Sequence, residues 1–539
     1  MQGEIEVLLI HPPATRPTEP PLGTGVLLSH LRGRGVRADA VDANLEAYLH
    51  LLEEERLSEA AGPGASTTVR RGVRHARRAV SFLRSPAAAA SFPRYAAAAR
   101  HLAAALSAYR GESGAERLTP GDYTHGSLSE FSPRDLSRVA GGEVGTIFGG
   151  YFRESLLPRV EGMRPRCVGI SVNYRHQVLP AFELAGLLRR ALPGVPVVGG
   201  GGMLTSWKRA LLGGRLALPA FSRVVFGPGE GTLGPSAAAG ISAEPYFLDG
   251  PGEVEFLPDF GFAELRGYLS PEPVLPVAAS RGCYWARCGF CPEAVAPTHP
   301  YRLHDPSGFP AMLRELSSRY GATRFHLTDN AIPPATLRAL ASGADALRGL
   351  SWHGFARFER DLLAHGFATG LAAAGCAMLQ LGLESGSQPL LDRMRKGTRV
   401  ADAPAILANL KGAGIATYVY VMLGAPGETA EDAERTLGFL ERHAAAIDYL
   451  NLSILNLPRE AGEELPDDEP LGLYRPVPPV AGWGRPQARR FLSRRILGSP
   501  AIREIAARTP PGFASNHAFF FRGGKAPAAA GISGASPSV

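Results

Sequence analysis

The stretch Val274-Leu-Pro-Val-Ala-Ala-Ser-Arg-Gly-Cys-Tyr-Trp-Ala-Arg-Cys-Gly-Phe-Cys291 decides how this chain reads. Its first part, Val274–Ala279, is an apolar run of strand length. The run delivers Cys283, Cys288 and Cys291 into one loop that opens Ser280-Arg-Gly282. Five cysteines in 539 residues cannot make a disulfide scaffold, and a local trio points instead to metal. Three thiolates in one loop can bind three irons of a cubane cluster, which normally takes four ligands. The missing fourth cysteine leaves one iron open for a small molecule, as an open position does in a catalytic metal site. A structural zinc site is one alternative, but it needs a fourth protein ligand, and the nearest histidines, His299 and His304, lie close to prolines. An electron-transfer cluster is another. Cys167 and Cys376 sit in apolar surroundings and read as core residues.

Outward from the loop, strand then helix repeats six times between about 270 and 460. Strands are expected at Val274–Ala279, Arg324–Leu327, Trp352–Arg357, Met378–Leu383, Ala416–Leu423 and Tyr449–Leu455. The intervening helices include Pro310–Tyr320, Thr336–Ala346, Leu362–Ala374, Pro389–Met394, Ala401–Ala413 and Ala430–His443. That rhythm is a parallel barrel with its active face at the strand carboxyl ends, and six units make it partial. Upstream, strand Glu4–Ile10 runs into His11-Pro-Pro13, a helix covers about Gly23–Arg34, and a short strand Ala38–Val41 follows. The same α/β pattern resumes at Cys167–Val172, with a helix at about Leu179–Ala191 and strands at Val195–Val198 and Arg223–Phe226. Alternation of this kind predicts a doubly wound parallel sheet, which binds ligands beyond its strand carboxyl ends. Those ends carry Asn173-Tyr174, Gly199-Gly-Gly-Gly202 and Gly227-Pro-Gly-Glu-Gly231, where missing side chains let backbone approach a bulky ligand.

The expected fold class is therefore α/β: an N-terminal doubly wound parallel sheet followed by a partial (β/α)6 barrel. The expected domains are 1–240, with an Ala-, Arg- and Glu-rich helical insertion at about 48–162; a linker at 241–269; the barrel at 270–460; a helical or irregular extension at 461–525; and a disordered tail at 526–539. Within the extension, Phe491 to Phe521 reads as a helix or two closing against the barrel.

Composition excludes some classes. No stretch of about 18 uninterrupted apolar residues appears, and the chain opens directly into a strand-like run, so a cytoplasmic protein without membrane contact is expected. A net charge of +7 invites nucleic acid, yet only four of the 57 basic residues are Lys, which reads as genomic habit rather than selection for phosphate. Nucleic acid is not an expected partner. The densest basic run, Arg70 to Arg84, reads as a solvated helix face, with docking of an acidic partner as the alternative.

The cysteine loop resembles that of the radical SAM superfamily, whose usual spacing is C-x3-C-x2-C with an aromatic before the last cysteine, here Phe290. The first gap is one residue longer, a departure shared by some cobalamin-associated members as Gly-Cys-Tyr-Trp. The resemblance implies a [4Fe-4S] cluster on Cys283, Cys288 and Cys291. It further implies S-adenosylmethionine (SAM) contacts from Phe290, from Asp329 and Asn330 after strand two, from Glu384 and Ser385 after strand four, and from Gly424 after strand five. The usual Gly-Gly-Glu after strand two is absent. The first region is similar to the cobalamin-binding domain found upstream of many such barrels, and the likeness assigns Asn173, Tyr174, Gly200, Gly201, Gly227, Gly229 and Glu230 to cobalamin. The Asp-x-His-x-x-Gly signature of histidine-ligated cobalamin proteins is missing, so a cobalt without a histidine ligand is expected.

What the resemblance implies chemically is reductive cleavage of SAM to a 5′-deoxyadenosyl radical. The electron comes from a reductant such as flavodoxin or ferredoxin, and hydrogen is taken from an unactivated carbon. C-methylation of a peptide or secondary metabolite is the leading reading. Cyclisation, ring contraction or oxidation without methyl transfer is the alternative, and an iron-sulfur electron carrier or a cobalamin-binding sensor is the alternative of another class. A methylthiotransferase acting on RNA is disfavoured because its extra N-terminal cysteine trio is absent.

Overall fold

The structure, a computed structural model, describes residues 5–521 apart from 112–113, 213–215, 217, 219, 234–245, 249–254, 461–462 and 464–468. The expected tail at 526–539 lies outside them. The chain divides into two compact units, the first running to Val277 and the second beginning at Ala278, with parts of the C-terminal extension assigned to each.

The first unit is built on a six-stranded sheet of β1 (Val7–His11), β2 (Ala38–Asp42), β3 (Cys167–Ser171), β4 (Val197–Gly200), β5 (Arg223–Phe226) and β6 (Tyr246–Leu248), in the order β2-β1-β3-β4-β5-β6. All five ladders are parallel. Parallel strands covered on both faces read as continuous apolar runs, and β1 accordingly buries all five residues of Val-Leu-Leu-Ile-His. Helix α1 (Leu22–Gly33) lays Leu28 and Leu31 on Val7, Leu9, Cys167, Val198 and Val225, so Cys167 is core, as its surroundings implied. The strand order reverses between β1 and β3, the switch point at which such sheets take ligands.

Two expectations need correction here. The described residues of the expected linker at 241–269 pack within the first unit. β6 extends the first sheet, Phe260 is buried against Gly25, Arg32 pairs with Asp259 at 2.8 Å, and the Tyr268 hydroxyl donates to Asp42 at 2.6 Å. Burying Tyr268 and Phe260 ties the segment to the first unit as firmly as a helix would. The insertion is not purely helical either. Beside helices such as α2 (Thr67–Leu83) and α3 (Phe92–Leu106) it holds a hairpin of Arg117–Thr119 with Asp122–Thr124.

The other six-stranded sheet consists of β7 (Val274–Val277), which ends the first unit, and of β8 (Arg324–Leu327), β9 (Ser351–Ala356), β10 (Cys376–Glu384), β11 (Ala416–Leu423) and β12 (Tyr449–Ile454) of the second, neighbours in chain order throughout. β8 to β12 pair in parallel. A sheet with no switch point, each strand returning through a helix, is the arrangement of a partial barrel. Helix α4 (Ala430–His443) starts with a capping box, Thr429 and Asp432 each accepting the other's backbone N–H. The polar residues inside the strands line up through the register: His326 with His353, Phe355 with Gln380 and Tyr418, Gly382 with Tyr420 and Asn451. Aligned residues share a sheet face, and this one is the barrel interior. The C-terminal extension fills part of it. Gln380 Nε2 donates to the Ser515 carbonyl, the Tyr449 hydroxyl donates to the Phe521 carbonyl, and Phe519 stacks on His353 at 4.2 Å. Among the described residues no helix is long and apolar enough to cross a membrane.

Candidate active site

The cysteine loop leaves β7 through a two-residue strand, Ser280–Arg281, that pairs antiparallel with Arg302–Leu303. Gly282 takes φ +75°, and a Cβ there would press on the Tyr301 backbone at 3.3 Å. Cys288 is buried and Cys283 and Cys291 are half-buried; none is in a disulfide. Burial pushes the Cys291 thiol up to about 11 and raises Cys288, each further raised by the neighbouring thiolates. Lys396 and Arg357 oppose that rise at Cys288. Two thiols that resist ionisation, one of them beside two cations, fit a ligand whose positive metal ions offset the thiolate charge. His304 donates from Nδ1 to the Asp305 carbonyl at 2.7 Å and its ring packs on Phe309. The three thiols of one loop are the right donors for an iron-sulfur cube, although among the described residues no three Cys, His, Asp or Glu side chains are gathered as a formed metal site.

The extra residue in the first gap has work inside the unit. Trp285 donates from Nε1 to the Arg395 carbonyl at 3.1 Å, lies under the Arg357 guanidinium at 4.3 Å, and fills the space where a side chain on Gly397 would stand. Gly289 N–H donates to the Met394 carbonyl at 3.0 Å. The cluster loop thereby clamps the segment Met394–Gly397, whose Lys396 Nζ meets Glu384 Oε1 at 2.6 Å, both side chains buried. Glu384 ends β10 past a β-bulge, at φ +66°. Non-glycine residues rarely adopt that conformation, and it turns the carboxylate off the strand. Gly382 leaves room for the pair: a Cβ there would lie 2.5 Å from Glu384 Oε1 and 2.8 Å from Lys396 Nζ. Sequence reasoning found Glu384 but missed Lys396, Arg357 and Trp285. The one available sign was that Lys396 is among only four lysines.

The other expected SAM residues divide. Asp329, deeply buried, accepts from Ala279 N and, at 2.5 Å, from the Ser280 hydroxyl, and burial lifts its carboxyl to about 6. Asn330 donates to the Gly282 carbonyl at 3.4 Å. Both brace the start of the cysteine loop. Ser385 points inward: fully buried, its hydroxyl shares a hydrogen bond with Thr436 at 2.9 Å and accepts from Ser387 N, so it anchors the turn that presents Glu384. Phe290 packs beside Leu390, Leu391 and Met394, with Lys396 Nζ 5.9 Å from its ring. Gly424, φ +77°, donates its N–H to Glu428, which also accepts from Trp483 Nε1 at 2.9 Å. Burial lifts Glu428 to about 7.

In the first unit a cleft of about 430 Å³, counting the solvent open to it, runs along the strand ends, lined by Leu9, Ser171, Gly199–Gly201 and Gly227–Gly229 with Thr24 from α1. Gly201 has φ +102°, and a Cβ there would lie 2.4 Å from the Val172 carbonyl oxygen. Gln177, fully buried, accepts from the N–H groups of Asn173 and Tyr174 and donates to the Pro12 carbonyl, tying the end of β3 to the end of β1. Asn173 accepts from Gly202 N, and the Gly227 N–H donates to Thr205. Of the expected residues, Gly200, Gly201, Gly227 and Gly229 line the cleft; Asn173 shapes its wall; Tyr174 is exposed; Glu230 is buried. His11, at the end of β1, is buried, with Nε2 3.2 Å from the Thr15 hydroxyl, and burial holds its ring down at about 4.

The barrel of chain-ordered parallel strands carries three thiols after its first strand, and residues 277–440 match the radical SAM superfamily, so this part of the chain is a radical SAM domain. The fold as a whole has solved counterparts. Over 86% of this chain and 76% of the other it superposes, at a TM-score of 0.50 and 17% identity, on the radical SAM methyltransferase TsrM from Kitasatospora setae, solved with cobalamin and a [4Fe-4S] cluster bound. The cobalamin-dependent radical SAM enzyme OxsB, solved with aqua-cobalamin and SAM, matches 85% of this chain and 54% of its own at a TM-score of 0.49 and 15% identity. Among curated proteins, the ribosomal protein uS12 methylthiotransferase RimO of Geotalea uraniireducens is 33% identical over 97 residues, 17% of this chain and 21% of that one.

Proposed function

We propose that this enzyme is a cobalamin-dependent radical SAM methyltransferase acting on an unactivated carbon of a peptide or secondary metabolite. The observation that carries the reading is the pairing, in one chain, of a glycine-lined cleft at a parallel-sheet switch point with a three-thiol loop on a partial barrel. When bound, the cluster and SAM supply one-electron cleavage of a sulfonium, and cobalamin supplies a transferable methyl group. Cys283, Cys288 and Cys291 hold the cluster; Asp329 and Asn330 fix the loop that presents them. Glu384, turned off its strand and steadied by Lys396, is the hydrogen-bond acceptor for a ribose, and Gly424 lets an adenine approach the backbone. Gly200, Gly201, Gly227 and Gly229 take the corrin side, and the half-exposed interior residues Phe355, Tyr420 and Asn451 face the substrate and exclude water. A reductant of the flavodoxin or ferredoxin kind delivers the electron.

The test is anaerobic purification with hydroxocobalamin, followed by absorbance, electron paramagnetic resonance (EPR) and a methyl-labelled SAM assay. Bound corrinoid that takes label from SAM is expected. Because the Asp-x-His-x-x-Gly signature is missing from the sequence, the cobalt(II) spectrum is expected to show no nitrogen splitting from a histidine. A protein that cleaves SAM but retains no corrinoid overturns the methyltransferase reading and leaves a non-methylating radical reaction.

A further inference from the structure

Lys396 stands out against its own sequence. Of 57 basic residues only four are Lys, yet this one is buried in the second unit where the commonplace cation of the chain is Arg. Its Nζ makes a single short contact, 2.6 Å to Glu384 Oε1, and lies 5.9 Å from the ring of Phe290, the residue between Cys288 and Cys291 in the loop. The placement is enforced from both sides. Trp285 and Arg357 of the cluster side hold the carbonyls of Arg395 and Lys396, Gly289 holds that of Met394, and the bare Gly382 makes room for the head group. Lysine carries a compact point charge, whereas arginine spreads it over a planar fork that needs several partners. The nearby Arg357 is already engaged by Glu359 at 3.1 Å, which the Tyr284 hydroxyl also reaches.

We infer that the buried Lys396–Glu384 pair tunes the reduction potential of the cluster on Cys283, Cys288 and Cys291, Lys396 favouring the reduced cluster and Glu384 opposing it. The inference rests on the cluster reading above and adds to it a role for two side chains that do not ligate iron. Reduction adds one negative charge to the cube, and in a buried site a fixed cation favours that charge while a fixed anion disfavours it, with little screening. Cluster potentials follow net charge and surroundings in this way. Lys396 is thus a positioning residue as well, since it holds Glu384 in its turned conformation.

The experiment is an EPR-monitored redox titration of the anaerobically reconstituted full-length protein, comparing wild type with Lys396→Met, Lys396→Arg and Glu384→Gln at matched iron content. At the potential where the wild-type cluster is half reduced, Lys396→Met should lower the ratio of reduced to oxidised cluster by about tenfold, and Glu384→Gln should raise it by about as much. Lys396→Arg, which keeps the charge, should stay closer to wild type than Lys396→Met. A purely structural role would not give shifts of opposite sign. If Lys396→Met fails to hold iron, the upward shift of Glu384→Gln decides the matter. Loaded clusters with unmoved potentials, or with both variants moving the same way, overturn this inference alone. A wild-type protein that takes up no iron overturns the cluster reading and this inference with it.

Discussion

The two units make their strand-end sites by opposite means. In the first the ends are emptied: Gly200, Gly201, Gly227 and Gly229 leave backbone bare along the cleft, and no charged side chain lines it. In the second the ends are filled, with Asp329 on the loop backbone, Lys396 on Glu384, Arg357 on Glu359 and Glu428 under Gly424 and Trp483. A broad, flat ligand needs close approach of backbone, which any side chain obstructs. A small charged cluster needs countercharge, which only side chains supply. The first kind of site should therefore fail by intrusion and the second by deletion.

Three substitutions test that contrast. The largest effect is expected from replacing Cys283, Cys288 and Cys291 together with Ala. Essentially all iron and the brown absorbance of the reconstituted protein should go, while corrinoid retention in the first unit stays. Stoichiometric zinc and no iron in the wild type would falsify the cluster assignment. Next is Gly201→Val, which places a side chain 2.4 Å from the Val172 carbonyl oxygen at φ +102°. Corrinoid retention should fall at least about tenfold at a cost of roughly 1–3 kcal/mol in stability, with iron content unchanged. Unaltered retention would move the corrinoid out of this cleft.

The smallest effect concerns Glu428, whose carboxyl is lifted from 4.5 to about 7 chiefly by burial. A raised carboxyl holds its proton in the folded state, so its stabilising contribution is complete below pH 4.5 and lost as pH climbs through 7. Glu428→Gln should remove that loss. Between pH 5 and 8 the wild type should lose on the order of 1–3 kcal/mol relative to the variant in denaturant unfolding. Parallel pH profiles for the two proteins would show that the buried carboxyl does not titrate in that window.

Much of the fold was readable because parallel strands buried on both faces leave apolar runs. Arg324–Leu327 and Ala416–Leu423 form as expected, and the remaining barrel strands shift by only a residue or two. What escaped was short or edge-bound. Tyr246–Leu248 and the hairpin of Arg117–Thr119 with Asp122–Thr124 are three-residue strands, too brief for a periodicity. In the site, the cysteines announce themselves by spacing alone. The partner of Glu384 does not, because the contact depends on a bulge, a positive φ and a tryptophan from another loop. Ser385 illustrates the limit: the family resemblance implied a SAM contact, and the turn sends its hydroxyl to Thr436.

The stacking of Phe519 on His353 bears on how the second unit is made. β9 and β10 emerge from the ribosome long before the segment Ser515–Phe521 that fills the space beside them. His353 is fully buried, neither ring nitrogen has a hydrogen-bond partner, and its stacking neighbours are His326 and Phe519. Until the later segment is made, that ring lacks one of its two stacking partners, so the surroundings of β9 are completed only when Ser515–Phe521 is in place.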